Sequence, residues 1–327
     1  MVAGPFPDIA LRQGVANDDE VVVNYMRESD DAVAVYREGA WATWGVVPAA
    51  APGLDNGGVV QAIALSDVGP VFAVTVEADA LDYSLYFWRD GDAAPSLVQH
   101  LVSNFFWPEY AVMGSDLYLT AERGDLSCID RLDLTSASPL ATAKQMSCGV
   151  AGSLLFSPSL DEGTLVFGER PASDECTTEL RRVDLASGAE TVVDSGPCAF
   201  MGLGSAAFSA WTQVPPDRSA PNAWNAAPLW ADVGGDVTQV GETVANSPIA
   251  CGGALYFVGG GSAESRLKRW EPGGEAVTVY RAPPGASVLD LSCAAGRLSA
   301  FIGDADGTSL LTTPPPDWSA GVPSDAS

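Results

Sequence analysis

The segment LVFGERPASDECTTELRRVDLASG, Leu165 to Gly188, reads as a strand, an acidic loop and a second strand, and it has a near copy upstream in LYLTAERGDLSCIDRLDLTSA, Leu117 to Ala137. In each, an apolar run ends in Glu-Arg, a polar turn carrying an aspartate follows, then a cysteine, then an alternating segment that closes on Asp-Leu. A unit written twice at close spacing is the mark of a repeat architecture, in which each copy buries its apolar faces only against its neighbours.

Taking this hairpin as the template, five further copies emerge: VVVNYMRESDDAVAVYREG, VFAVTVEADALDYSLYFWRDG, FSAWTQVPPDRSAPNAWNAAPLWADVGG, LYFVGGGSAESRLKRWEPGG and LSAFIGDADGTSLLTTPPP. The equivalent late positions of the second strand, Tyr36, Trp88, Leu132, Val183, Ala231, Trp270 and Thr312, recur roughly every 40 to 50 residues, the spacing of four-stranded propeller blades. Short, apolar, small-residue-rich segments precede the hairpins (DIALRQ, VVQAIALS, YAVMG, SLLFSPS, AFMGLG, SPIAC, SVLDLSC) and suit a crowded innermost strand. Segments such as AWATWGVV, SLVQHL, PLATAKQ, ETVVD, DVTQVGE and AVTVYRA follow the first six and suit an outer strand. Gly and Pro punctuate the junctions, and no stretch holds a helical period over ten residues without a breaker.

The expectation is an all-β chain: one domain over 1–327, a seven-bladed β-propeller of four-stranded antiparallel blades near 8–48, 58–102, 108–145, 153–194, 199–242, 247–282 and 287–318. Six or eight blades are the alternatives, with a β-sandwich pair further off. The last unit needs a fourth strand, for which Val2–Phe6 and DWSAGVPS are the candidates, so a terminal segment is expected to close the ring.

The fourth unit, from Phe156 to Val193, resembles the TolB-type and related WD40-like propeller blades. Those carry a Ser-Pro-Asp-Gly turn before the second strand, an acidic-Arg pair at its end and an Asp-Leu-x-x-Gly turn after the third. Phe156-Ser157-Pro158, Glu169-Arg170 and Asp184-Leu185 through Gly188 stand in those places, and the third unit keeps Glu122-Arg123 and Asp133-Leu134. The resemblance covers about a third of the chain; it implies a propeller scaffold and carries no catalytic residue.

The 327 residues are 47% hydrophobic, ample for a packed core, and hold 42 acidic against 16 basic side chains, a net charge of -26. Such a field repels phosphate backbones and anionic headgroups, so nucleic acid is not an expected partner. No apolar run approaches the roughly 20 residues that span a bilayer, so membrane insertion is not expected either. Six cysteines with one histidine and no C-x-x-C argue against zinc and for disulfides. The repeat positions suggest Cys128–Cys148, Cys176–Cys198 and Cys251–Cys293, with buried free thiols as the alternative. Disulfides suit a secreted, periplasmic or cell-surface protein. A monomer is expected.

The loops between the second and third strands emerge on one face and are acidic throughout, from Asp30 and Asp31 to Asp304 and Asp306. Converging carboxylates would attract cations, although an acidic chain is acidic on every surface. Within this set Asp304 and Asp306 in GDADGTS are the metal candidates, with calcium the implied ion and a plain hairpin turn the alternative. The Glu122-Arg123 and Glu169-Arg170 pairs would either grip a ligand carboxylate or form ion pairs inside the blade. In the fifth unit an inserted loop places Trp224 between Asn222 and Asn225, an aromatic platform with amide donors suited to a sugar or a peptide backbone; a tryptophan packed on its own blade is the alternative. His100 is the lone histidine, and G-x-S-x-G, P-loop and H-E-x-x-H motifs are missing. The first expectation is therefore a propeller that recognises a protein or carbohydrate ligand at an acidic loop face. A carboxylate-using glycoside hydrolase or lyase is the second, and a structural domain of a larger assembly the third.

Overall fold

A computed structural model describes residues 11–27, 30–37, 40–45, 59–75, 82–102, 110–171, 179–193, 195–196, 198–214, 224–245, 247–259, 265–304 and 307–313. Seven antiparallel sheets follow one another along the chain, and the fold is an all-β seven-bladed propeller. Blade 1 consists of β1 (Leu11–Ala16), β2 (Glu20–Arg27), β3 (Asp30–Arg37) and β4 (Ala40–Gly45). Blade 2 has β5 (Val59–Ser66), β6 (Gly69–Thr75), β7 (Asp82–Phe87) and β8 (Ser96–Val102). Blade 3 has β9 (Tyr110–Met113), β10 (Asp116–Arg123), β11 (Leu126–Asp133) and β12 (Lys144–Cys148). Blade 4 has β13 (Ser153–Asp161), β14 (Thr164–Pro171), β15 (Glu179–Asp184) and β16 (Glu190–Val193). Blade 5 has β17 (Ala199–Gly204), β18 (Ser209–Gln213), β19 (Ala227–Val233) and β20 (Asp236–Thr243). Blade 6 has β21 (Ile249–Cys251), β22 (Ala254–Gly259), β23 (Arg266–Trp270) and β24 (Val277–Arg281), and blade 7 shows β25 (Ser287–Ala294), β26 (Arg297–Asp304) and β27 (Gly307–Thr313).

The core lies between blades. The second strands are apolar on both faces because each is sandwiched by neighbouring sheets, and every residue of β6 is buried. Val71, Ala73 and Leu85 of blade 2 pack on Leu117, Leu119 and Leu132 of blade 3, and Leu203 and Phe208 of blade 5 pack on Leu255, Phe257 and Trp270 of blade 6. The ring closes by the same packing: β1 lies against β25, β26 and β27, with Phe301 and Leu310 joining Ala16, Val21 and Tyr25 in one cluster. The Ala16 N–H donates to Ser299 Oγ (3.1 Å) and Ser292 Oγ donates to the Gly14 carbonyl (2.8 Å). Both candidates for a fourth strand in blade 7 lie outside the described residues.

The Asp-Leu turns of blades 3 and 4 tie their strands together. Asp184 Oδ1 accepts from the N–H groups of Ala186 and Ser187, and these bonds hold its carboxyl below the usual range. Leu185 N–H reaches back to the Gly163 carbonyl, as Leu134 N–H does to Ser115. Arg89 of blade 2 then donates to the carbonyls of Leu134, Thr135 and Ser136, clamping blade 3 to its neighbour. Two local expectations shift. PLATAKQ is not one outer strand, since Pro139–Thr142 forms a short 3-10 turn and the strand runs over Lys144–Cys148; proline offers no N–H to a ladder, while Cys148 opposite Cys128 sets the register. Ser157-Pro158 lies inside the inner strand β13, and the turn before β14 is Glu162-Gly163, both at positive φ.

Cys128 is bonded to Cys148 within blade 3, and Cys251 to Cys293 between the inner strands of blades 6 and 7. Cys198 is also disulfide-bonded, and its expected partner Cys176 lies outside the described residues.

Candidate functional site

The innermost strands surround a central channel with a cavity of about 430 Å³, a size that suits a small ligand or the end of a larger one. Five of these strands carry a register shift at a matching place. In β1 it falls at Arg12, in β5 at Gln61, in β13 at Ser157-Pro158, in β17 at Phe200 and in β25 at Leu289. A bulge adds one residue to a strand, bends it and re-aims a side chain. All five sets of bulged residues line the channel, together with Gln13, Tyr110, Ser159, Met201 and Asp290.

Bulges leave backbone groups without ladder partners, and polar side chains of the preceding blade take them up. Asp31, buried at the start of β3, accepts the Val60 N–H (2.8 Å), and Gln13 Nε2 donates to the Gln61 carbonyl (2.6 Å). Ser127, at the equivalent place in β11, accepts from Leu155 N–H, and Ser265 before β23 accepts from Val288 N–H, both at 3.0 Å. The device thus recurs around the ring and fixes the inner strands from behind.

Charge in the channel is uneven. Arg12 is held by Asp31 at 3.3 Å, so its cation is balanced. Asp290 is open to water in the channel but walled by protein; burial pushes its carboxyl up to about 6, against one bond from the Leu291 N–H. Gln13 Oε1 is a buried acceptor with no partner among the described residues. Tyr110 directs its hydroxyl away, donating to the Ala62 and Val71 carbonyls, and burial holds its phenol far above the usual range. At the opposite end of the inner strands Asp161 draws blades 4 and 6 together: its carboxylate accepts from Gly252 N–H and Gly253 N–H, each at 2.9 Å. Desolvation nevertheless raises its pKa to about 6.

The residues expected from sequence fall in several places. Trp224 is 36% exposed and stands edge-on to Phe200, centroids 4.9 Å apart, so its ring packs on its own blade and is not among the residues that line the cavity. Asn225 lines a separate depression of about 540 Å³ with Gln239, Glu242 and Lys268, and Asn222 lies outside the described residues. Arg123 pairs with the buried Asp130 across blade 3, and Glu122 beside it is exposed. Glu169 is buried, accepts from Val150 N–H and Ser153 Oγ and pairs with Arg181, while its neighbour Arg170 is half-buried. The two Glu-Arg copies are therefore used differently. Asp304 ends β26 opposite Gly307 and is exposed; Asp306 lies outside the described residues. Among the described residues no three His, Cys, Asp or Glu side chains cluster in a way that would hold a metal ion. Most of the acidic loops between second and third strands also lie outside the described residues.

The channel residues Arg12, Gln13, Gln61, Phe200 and Asp290 were not singled out from sequence. The available signal was a polar side chain inside an otherwise apolar inner-strand segment, as in VVQAIALS and SVLDLSC.

Comparison with family models and with curated proteins finds no match for the sequence. Solved structures do match. The propeller domain of the Trilobed protease from Pyrococcus furiosus aligns over 93% of this chain and 95% of its own, with TM-score 0.59 and 10% identity. A structure from a study of two prolyl endopeptidases aligns with TM-score 0.62 and 10% identity over 94% of this chain and 50% of its own. The polysaccharide lyase Uly1 aligns with TM-score 0.53 and 10% identity over 91% of this chain and 88% of its own. The chain thus spans about half the length of the endopeptidase structure. These likenesses establish the propeller, and the resemblance to TolB-type and WD40-like blades holds at the level of the fold.

Proposed function

We propose that this propeller is a binding module of the secreted or envelope-associated class, which takes a protein or glycan ligand at the mouth of its central channel. The observation that carries the proposal is the set of five matched bulges, which spend ladder hydrogen bonds to aim side chains of five blades into one cavity. The lining supports it as well: amides and hydroxyls beside Phe200, Met201 and Leu289 form the mixed surface that holds a ligand by shape and a few polar contacts. Trp224 against Phe200 extends that surface towards the rim. The disulfides between Cys128 and Cys148 and between Cys251 and Cys293 support an oxidising compartment. Two similar structures belong to a protease and a polysaccharide lyase, which is compatible with either ligand class and selects neither.

A hydrolase using paired carboxylates is less well supported. That chemistry needs two acids about 5 to 9 Å apart, and Asp290 is the one carboxylate among the channel-lining residues described. The test is an array of glycans and peptides probed with the purified chain, with and without calcium. A defined set of bound ligands supports the module; turnover of a bound glycan without retention would favour the enzyme.

A further inference from the structure

Resting on the channel as the ligand site, we propose that the channel selects a peptide ligand that carries an alkylammonium or guanidinium group, seated on Asp290 with its stem against Leu289 and Phe200. Three observations on charge and shape lead there. First, Asp290 is the unbalanced charge among the described channel residues. The strands packed on β25 include β26, β1, β5 and β21, and the charged side chains they carry are Arg297 and Asp304 at the ends of β26 and Arg12 on β1. Arg297 is paired with Asp18 and Arg12 with Asp31, and Asp304 is itself acidic. Neither cation is left to neutralise Asp290, whose one hydrogen bond among the described residues comes from its neighbour's N–H.

Second, the polar groups left over in the wall are acceptors. Gln13 spends its amide donor on the Gln61 carbonyl and keeps Oε1 without a partner among the described residues, and Tyr110 spends its hydroxyl proton on carbonyls of blade 2. A ligand group rich in N–H donors complements such a wall; a carboxylate or phosphate does not. Third, Leu289 is 56% exposed although it sits in the inner strand, because its bulge turns it into the lumen. An apolar side chain displayed beside a carboxylate matches a ligand with an aliphatic stem and a cationic end, as Lys and Arg have. The net charge of -26 adds a long-range field that draws cations to the channel mouth.

Binding of the cation stabilises the Asp290 carboxylate, so the carboxyl releases its proton as the ligand enters, and affinity rises as pH increases through about 6. The experiment is calorimetric titration of the full chain with two blocked tripeptides that differ only in the central residue, Lys or norleucine, and with free butylamine as a third probe. At pH 7.5 the Lys peptide is expected to bind roughly tenfold or more tightly than the norleucine peptide. That preference should vanish in Asp290→Asn, an isosteric change that relieves a desolvated charge, and shrink at pH 5 in the parent protein. Butylamine binding as tightly as the Lys peptide would show a free amine to be the ligand and overturn the peptide part. Equal affinities for Lys and norleucine, a Lys preference that survives Asp290→Asn, or no binding of any probe would overturn the proposal. Retention of neutral glycans or acidic peptides in the array, without a cation preference, would sink this inference while leaving the binding module standing; an empty array would remove both.

Discussion

Asp290 and Asp161 show how much position alone does to one side chain. Each is an aspartate raised to about 6 by desolvation, yet Asp161 is satisfied by glycine N–H groups and Asp290 faces a lumen. For both, the unfolded carboxyl loses its proton near 3.8 while the folded one keeps it to about 6. Between those values the folded state binds more protons, so stability contributed by these groups falls as pH rises from about 4 to about 6. Thermal melts across that window should show Asp290→Asn with a flatter decline than the parent. A parallel decline in the variant would place the titration elsewhere. Gly168 makes a different point at the same scale. It lies opposite Phe156, and a Cβ built there would stand 2.3 Å from the ring, so Gly168→Ala makes the phenyl group shift within a packed blade. The expected cost is about 1–3 kcal/mol, read from chemical denaturation.

Among the elements, the inner strands carry both the fold and the site. Their segments were legible as short apolar runs, and YAVM, AFMGLG and SVLDLSC became β9, β17 and β25. Their bulges were not legible, because a register shift depends on what the neighbouring blade offers to the freed backbone, as Asp31 offers to Val60 and Ser265 to Val288. For the same reason Glu122-Arg123 and Glu169-Arg170 look alike as sequence but differ in use: only Glu169 has Ser153 and Arg181 placed to bury it. The Asp161 bridge between blades 4 and 6 joins residues about ninety positions apart, beyond any local pattern. Asp161→Ala leaves the Gly252 and Gly253 N–H donors without their acceptor and should cost about 1–3 kcal/mol in urea unfolding. The Cys251–Cys293 bond closes a loop with a separation of 42 residues and ties two inner strands, against 20 for Cys128–Cys148. Chain-entropy reasoning assigns about 4 and about 3 kcal/mol respectively, so Cys251→Ala with Cys293→Ala should lower the midpoint more than the blade 3 pair. The reverse order would mean that the loop-length argument does not govern here.

At the scale of the molecule, the repeat is what made the fold readable. Tyr36, Leu132, Val183, Ala231 and Trp270 each stand opposite the second residue of the preceding strand, whereas Trp88 lies just past the end of β7 and Thr312 faces Ser299, the third residue of β26, so the spacing noticed in sequence is a true register in five of the seven units. The candidate site was much less readable, since it is assembled from one to four residues of each of six blades that meet only once the ring has closed. Trp224, singled out in the sequence, packs on Phe200 of its own blade; Gln61 and Asp290 were hidden among core-like segments. The acidic excess drew attention to the loops, whereas among the described channel residues the informative feature is one carboxylate without a counter-ion. The most direct test of the channel as the ligand site is to fill it. Gln61→Trp puts a large side chain at a bulge that already faces the lumen, and Val237→Trp adds the same bulk on an exposed outer strand as a control. The affinity of the strongest array ligand should fall roughly tenfold or more in Gln61→Trp and stay unchanged in Val237→Trp; undiminished binding by a folded Gln61→Trp protein would contradict the account.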